Sequence, residues 1–290
     1  MLSLRGTLHH LDMTDAHCHI AKGAERYWLA EGRSGCARPE WSRTRTGELA
    51  RERARAHGET ASARQQEGEV SWRFYGVHPW DAEEAGDFEW LKERLEADPG
   101  AGVGEIGLDR LKTREISEKM REVFRVQLEI AAAFGRAVVL HGAKCWGQVV
   151  KECQGYKGKI PAFIFHGFSR SEGLLGEIVA LNGYVSVGPA VLNDHAVNYR
   201  ELVRKIPAER ILVESDRTEA SGDEVPELEA IARKVAEVRG EEWESFKERV
   251  ERNERACETR VVSHQDGLEA GVGADGGVGG RRGPPAREQG

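Results

Sequence analysis

The 290-residue chain has no apolar stretch approaching the roughly 20 residues that cross a bilayer, which argues against a membrane-spanning helix and a membrane partner. A secretory leader is not expected either, for want of a continuous apolar h-region. Met1 to His10 is broken by Arg5 and Gly6, and Asp12 follows soon after, so the expected location is the cytoplasm, the nucleus or both. Five cysteines (Cys18, Cys36, Cys145, Cys153 and Cys257) make an odd number without C-x-x-C spacing. That pattern argues against a disulfide framework, a disulfide-linked partner and a cysteine zinc site. Positive net charge is also absent: the formal value is -7, so contact with nucleic acid would depend on a local basic rim.

What is present is a soluble composition, 39% hydrophobic and 31% charged. The length suits one α/β barrel of roughly 250 residues with a tail to spare. Continuous apolar runs, the signature of parallel strands buried on both faces, alternate with stretches of helical spacing. Strand-like runs lie around 13–20, 72–78, 102–108, 137–141, 162–166, 184–187 and 211–214. That is one short of eight. The missing second strand belongs between Ala21 and Ser71, where glycines, Pro39 and a run of Arg, Glu and Ala give little β pattern and Glu48 to His57 looks helical.

Met120, Val123, Phe124, Gln127, Ile130 and Phe134 recur at helical spacing, as do Leu174 to Val179, Tyr199 to Ile206, and Leu228, Ile231, Val235 and Val238. Pro226 suits the first turn of that last helix, and Trp243, Phe246 and Val250 begin another. The expected fold is a TIM-type (β/α)8 barrel over 1–260 with an irregular second strand. The Gly-rich segment 261–290 cannot bury enough apolar surface to offset chain entropy and is expected to be a disordered tail.

Five of the apolar runs end in a candidate metal ligand: Asp15-Ala-His17-Cys-His19, Gly104-Glu105-Ile-Gly-Leu-Asp109, Val138-Val-Leu-His141, Phe163-Ile-Phe-His166 and Ile211-Leu-Val-Glu214-Ser-Asp216. A strand followed at once by a His or a carboxylate places that group at the strand's carboxyl end, where the strands of a parallel barrel share one mouth. Residues i and i+2 of a strand point the same way, which pairs His17 with His19. Glycines flanking Glu105 are expected to leave room near its carboxylate. Imidazole with carboxylate suits Zn, Mn or Fe, and carboxylate with water suits Mg, so the set does not select one metal. It is large enough for two ions, whose shared water suits hydrolysis.

These residues resemble the TatD family of metal-dependent hydrolases, within the amidohydrolase-like barrels. The resemblance rests on the five motifs above together with Gly76-Val-His78-Pro79-Trp80 and His166-Gly-Phe168, and it spans roughly 13–257. It implies two divalent ions (Mg, Mn or Zn), one held by His17, His19, Glu105 and Asp216 and the other by Glu105, His141 and His166, with Glu105 bridging. It also implies that Asp216 manages the proton of the attacking water, and that the activity is a deoxyribonuclease, commonly an exonuclease on single-stranded DNA.

His78, Lys144, Arg170 and Arg217, each beside or just beyond a strand end, are candidate substrate contacts, and Arg110 falls similarly. Trp80 is open to base stacking, whereas Trp146 begins a helical stripe and is expected to pack. Gln127, on the apolar face of its helix, reads as a buried amide bonded to backbone or to a ligand's loop. The chain departs from the family pattern after His141, where Gly-Ala-Lys replaces the bacterial arginine, and after Asp216, where a proline is missing. Two alternatives therefore stand: hydrolysis of a non-DNA ester or amide such as aminoacyl-tRNA, and a non-catalytic interaction protein on the same barrel.

Overall fold

A computed structural model describes residues 14–18, 26–32, 69–169, 172–217 and 228–272. Among them, eight strands form one sheet in sequence order: β1 (Thr14–Cys18), β2 (Arg26–Gly32), β3 (Glu69–Gly76), β4 (Gly102–Asp109), β5 (Val138–Ala143), β6 (Phe163–Phe165), β7 (Gly183–Val187) and β8 (Ile211–Val213). Every neighbouring pair is parallel. The last strand lies beside the first, giving the TIM-type barrel.

The second strand is the 26–32 segment, Arg-Tyr-Trp-Leu-Ala-Glu-Gly, which pairs with β3 along its whole length. Its β-forming Tyr-Trp core is too short, and too closely flanked by Ala, Glu and Gly, to declare itself locally; pairing on both sides supplies the stability. The register slips between Asp15 and Cys18 against β2 and between Tyr27 and Trp28 against β3. The helical reading of 48–57 lies outside the described residues.

Helices follow the strands: α1 (Glu89–Ala97), α2 (Glu118–Ala133), α3 (Trp146–Gln154), α4 (Leu175–Ala180), α5 (Val197–Lys205), α6 (Leu228–Arg239) and α7 (Trp243–Val272). Ser117 caps α2, its hydroxyl accepting from Met120 N at 3.0 Å. α7 continues to Val272, past residue 261. Once nucleated, a helix propagates at little cost per residue, so α7 extends through a stretch of mixed propensity that includes Gly267 and Gly271. Residues 273–290 and Pro226 lie outside the described residues.

Two buried layers follow from strand alternation. Val138 and Leu140, Phe163 and Phe165, and Ile211 and Val213 join the helices in the larger core. The intervening Val139, Ile164 and Leu212 belong to a second cluster with Ala16, Trp72, Phe74 and Tyr184. Since this second set comes from strands around the sheet, with Cys257 its one helical member, it fills the barrel interior. Two residues beyond its members Val139, Ile164 and Leu212, on the same face, come His141, His166 and Glu214. The candidate ligands thus stand where the inward row passes from hydrocarbon to the carboxyl-end mouth.

Candidate metal centre

Glu105 sits at a local irregularity. Val103 pairs with Val138 and Ile106 with Leu140, so three steps along β4 answer two along β5. The extra residue is a bulge, a device that re-aims a side chain. The flanking glycines do not make room for metal or substrate as expected; they make room for β5. A Cβ on Gly104 would lie 2.8 Å from Val139 Cβ, and one on Gly107, whose φ is +149°, would lie 2.0 Å from the His141 carbonyl oxygen. Close approach of β5 carries His141 to Glu105.

One carboxylate oxygen is the focus. Glu105 Oε1 lies 2.6 Å from His141 Nδ1, 2.6 Å from His166 Nε2 and 3.5 Å from His78 Nε2. His141 Nδ1 and His166 Nε2 are 3.3 Å apart. Behind each of these two rings stands a buried acid. His141 Nε2 is 3.0 Å from Asp109 Oδ2, and His166 Nδ1 is 3.6 Å from Glu214 Oε1. Glu214 is fixed by the amide of Gly167, 2.7 Å from Oε1, and by the Ser186 hydroxyl on Oε2. His141, giving its outer N–H to Asp109, turns its inner lone pair toward Glu105, and Glu214 stands at ion-pair distance from the outer nitrogen of His166. Lone pairs of two rings and a carboxylate aimed at one point require positive charge there, a proton or a metal ion. The donor set fits a divalent cation.

The electrostatics of the cluster agree with this reading. Burial alone would push the Glu105 carboxyl up, but His166, His78 and His141 hold it well below its ordinary value. Burial pulls His166 and His141 down, but Glu105 raises both, helped by Glu214 for His166 and by Asp109 for His141. Asp109 is depressed by His141, Trp80 and the Lys112 amide against the effect of burial. His78 differs: burial outweighs Glu105, and its value is lowered. Its Nδ1 accepts from Trp80 N at 3.2 Å, which leaves the ring proton on Nε2, facing Glu105.

The structure brings together Glu105, His141 and His166, and adds His78, expected only as a substrate contact. Among the described residues, the group whose donor atoms all lie close enough to share an ion is His78, Glu105 and His141. Asp216 is exposed just beyond β8, in the left-handed region at φ 51°, outside that group. The His17 side chain, all of His19 and Arg170 lie outside the described residues. Lys144 is exposed at the end of β5, as is Arg110 at the end of β4. Arg217, expected on the rim, is instead buried at the end of β8.

Gln127 is fully buried; its Oε1 accepts from Val77 N at 2.6 Å and its Nε2 donates to Val77 O at 3.1 Å, clamping the residue before His78. Trp146 packs on Phe165 and Phe168. Sequence reasoning missed the tie between Trp80 and Asp109, whose indole nitrogen and Oδ2 are 2.7 Å apart. The Gly-Val-His-Pro-Trp motif was the available signal.

Parallel strands closing a barrel, with a carboxylate–imidazole cluster at their carboxyl ends, define the metal-dependent barrel hydrolase class. The profile described as TatD related DNase matches residues 14–258, and the chain belongs to the TatD family. A relative from Bacillus subtilis, described as an uncharacterized metal-dependent hydrolase, YabD, is 30% identical over 145 residues, 49% of this chain and 56% of that protein. The chain therefore spans little more than half the length of that relative. The 3'-5' ssDNA/RNA exonuclease TatD of Pectobacterium carotovorum is 29% identical over 185 residues, covering 59% and 71%. In fold, the chain is similar to the TatD homolog YJJV from Escherichia coli, with a TM-score of 0.64 at 21% identity over 84% of this chain and 96% of that one. A TatD family hydrolase from Entamoeba histolytica gives 0.61 at 13% identity, covering 84% and 97%. No helix among the described residues is long and apolar enough to cross a membrane.

Proposed function

We propose that the protein is a metal-dependent phosphodiesterase, a deoxyribonuclease that removes nucleotides from the ends of single-stranded DNA. The observation that carries this reading is the convergence of His141, His166 and His78 nitrogens on one oxygen of Glu105 at the barrel mouth. Glu105, His141 and His166 would hold one divalent ion, and His17, His19, Glu105 and Asp216 a second, with Mg, Mn or Zn as the candidates. Such ions, when bound, acidify a water and stabilise charge on phosphate oxygens.

The chain's own groups do the rest. Asp109 and Glu214 hold the rings of His141 and His166 so that each presents a nitrogen inward. His78, neutral and with its proton on Nε2, donates a hydrogen bond into the site. Asp216 takes the proton of the attacking water. Lys144 and Arg110, exposed at two adjoining strand ends, attract the phosphate backbone, and Arg170 assists; Arg217 is buried. A nucleic-acid substrate suits a protein of the cytoplasm or nucleus.

The altered segment after His141, Gly-Ala-Lys, favours a second reading, in which the same centre hydrolyses a different ester or amide, such as aminoacyl-tRNA. The experiment is metal analysis of purified protein followed by a panel of single-stranded DNA, duplex DNA, RNA and aminoacyl-tRNA, with Glu105→Gln as control. Metal-dependent cutting of single strands, lost in Glu105→Gln, is expected. Intact DNA beside a hydrolysed aminoacyl ester would reject the nuclease reading.

A further inference from the structure

Trp80 is the second residue of the 3-10 turn Pro79–Glu84 that follows His78, and at 48% it is one of three exposed large hydrophobic residues among those described. Its exposure is not slackness. The indole nitrogen donates to the buried Asp109 at 2.7 Å, the backbone nitrogen donates to His78, and the ring stands edge-on to His78 with centroids 4.5 Å apart. The His141 ring centroid is 6.2 Å away. Trp146, by contrast, is buried between phenylalanines. Packing accounts for Trp146 and not for Trp80, a rigid aromatic surface held in solvent beside the metal centre.

The loop after β4 completes the surface. Asp109 Oδ1 accepts the backbone amides of Leu111 at 2.6 Å and Lys112 at 2.7 Å, while Oδ2 holds the indole. One carboxylate therefore fixes both the ring and the loop that crosses it. Lys112 Nζ stands 3.5 Å from the indole centroid, and Leu111, 57% exposed, adjoins it. A cation–π contact at an exposed position is weak, so the ammonium is easily exchanged for another occupant of the ring.

We infer that Trp80 is the platform on which the terminal base of a single-stranded substrate stacks, with Lys112 moving from the ring to the neighbouring phosphate. This rests on the nucleic-acid reading above and deepens it. Stacking tolerates every base but needs one that is unpaired, so the platform would select strand ends and single strands over duplex without reading sequence. It also sets the spacing: the stacked base anchors its nucleotide while the adjoining phosphodiester reaches Glu105, His141 and His166.

The test compares metal-loaded wild type, Trp80→Phe and Trp80→Leu on a single-stranded decanucleotide whose end nucleotides carry either bases or abasic tetrahydrofuran. Wild type is expected to favour the base-bearing ends by about tenfold in kcat/KM. Trp80→Leu should erase that preference, and Trp80→Phe, which keeps a ring but loses the N–H to Asp109, should retain most of it. Bound metal is measured in each. A preference that survives in Trp80→Leu, or one lost in both variants together with metal, overturns the platform. Equal cutting of both substrates by wild type also overturns it while leaving the nuclease reading intact; cutting of neither sinks both.

Discussion

Changing Gln127 to leucine would test what holds His78 at the metal centre. The carboxamide is fully buried on α2, and it completes the backbone pairing of Val77 just where β3 stops at Gly76. Its oxygen accepts from Val77 N at 2.6 Å, and its nitrogen donates to Val77 O at 3.1 Å and to Val123 O at 3.3 Å. Val123 lies within α2, so its contact with the side chain adds little. The cost falls on Val77, whose N–H and C=O would stay buried without these bonds, at about 1–3 kcal/mol each. Leucine matches the volume and returns roughly 1 kcal/mol of apolar burial. The net loss is about 1–5 kcal/mol, or roughly 2–20 °C in Tm at about 2–4 °C per kcal/mol.

Urea unfolding of metal-stripped protein measures the loss directly. A variant within about 0.5 kcal/mol of wild type, the range of a neutral surface change, would refute the reasoning.

Stability of the metal-stripped protein should depend on pH through the cluster. Glu105, held below its ordinary 4.5, contributes fully above that value, and the contribution falls away as pH drops toward its folded value. His141 and His166, raised above 6.5, contribute fully below it and lose that contribution as pH rises through their folded values. His78, lowered, runs the other way, contributing above 6.5 and losing it below, but it is one ring against two. The cluster's contribution should peak between about 4.5 and 6.5 and decline toward alkaline pH; urea midpoints that climb from pH 7 to 9 would contradict this. Gly107→Ala should cost more than about 3 kcal/mol, because its Cβ would meet the His141 carbonyl at 2.0 Å with φ at +149°. Gly86→Ala, at an exposed glycine whose Cβ would meet nothing within 4 Å, is the matched control and should change the urea midpoint little.

The barrel was legible because parallel strands buried on both faces are written as unbroken runs such as Phe163-Ile-Phe and Ile211-Leu-Val, and the His or carboxylate at each end marks which terminus faces the mouth. The second strand was not legible, since Arg26–Gly32 is made a strand by its neighbours rather than by its own composition. Position along a strand also failed to say where a missing side chain leaves space. Gly104 and Gly107 serve the approach of β5, a fact of register and bulge rather than of local sequence. The helical extension to Val272 was hidden because the apolar stripe fades before the helix ends. Long-range polar ties such as Trp80 with Asp109 and Gln127 with Val77 join residues 29 and 50 positions apart, and no local periodicity encodes such pairings.

The arrangement of acids around the imidazoles has a physical logic. A buried carboxylate such as Glu105 is costly unless positive charge lies against it, and two rings within 2.6 Å supply that charge only when protonated. Asp109 and Glu214, behind those rings, favour the same protonated state and lock each ring's orientation. Three acids thus face His141, His166 and His78, and only the first two rings have raised affinity for protons. A divalent cation held by Glu105, His141 and His166 would supply charge of the same sign in place of those protons, while the outer acids stay in position. The same carboxylates that hold the cluster together without metal therefore orient it for metal, and the ion's competitor is the proton, not a rearranged fold.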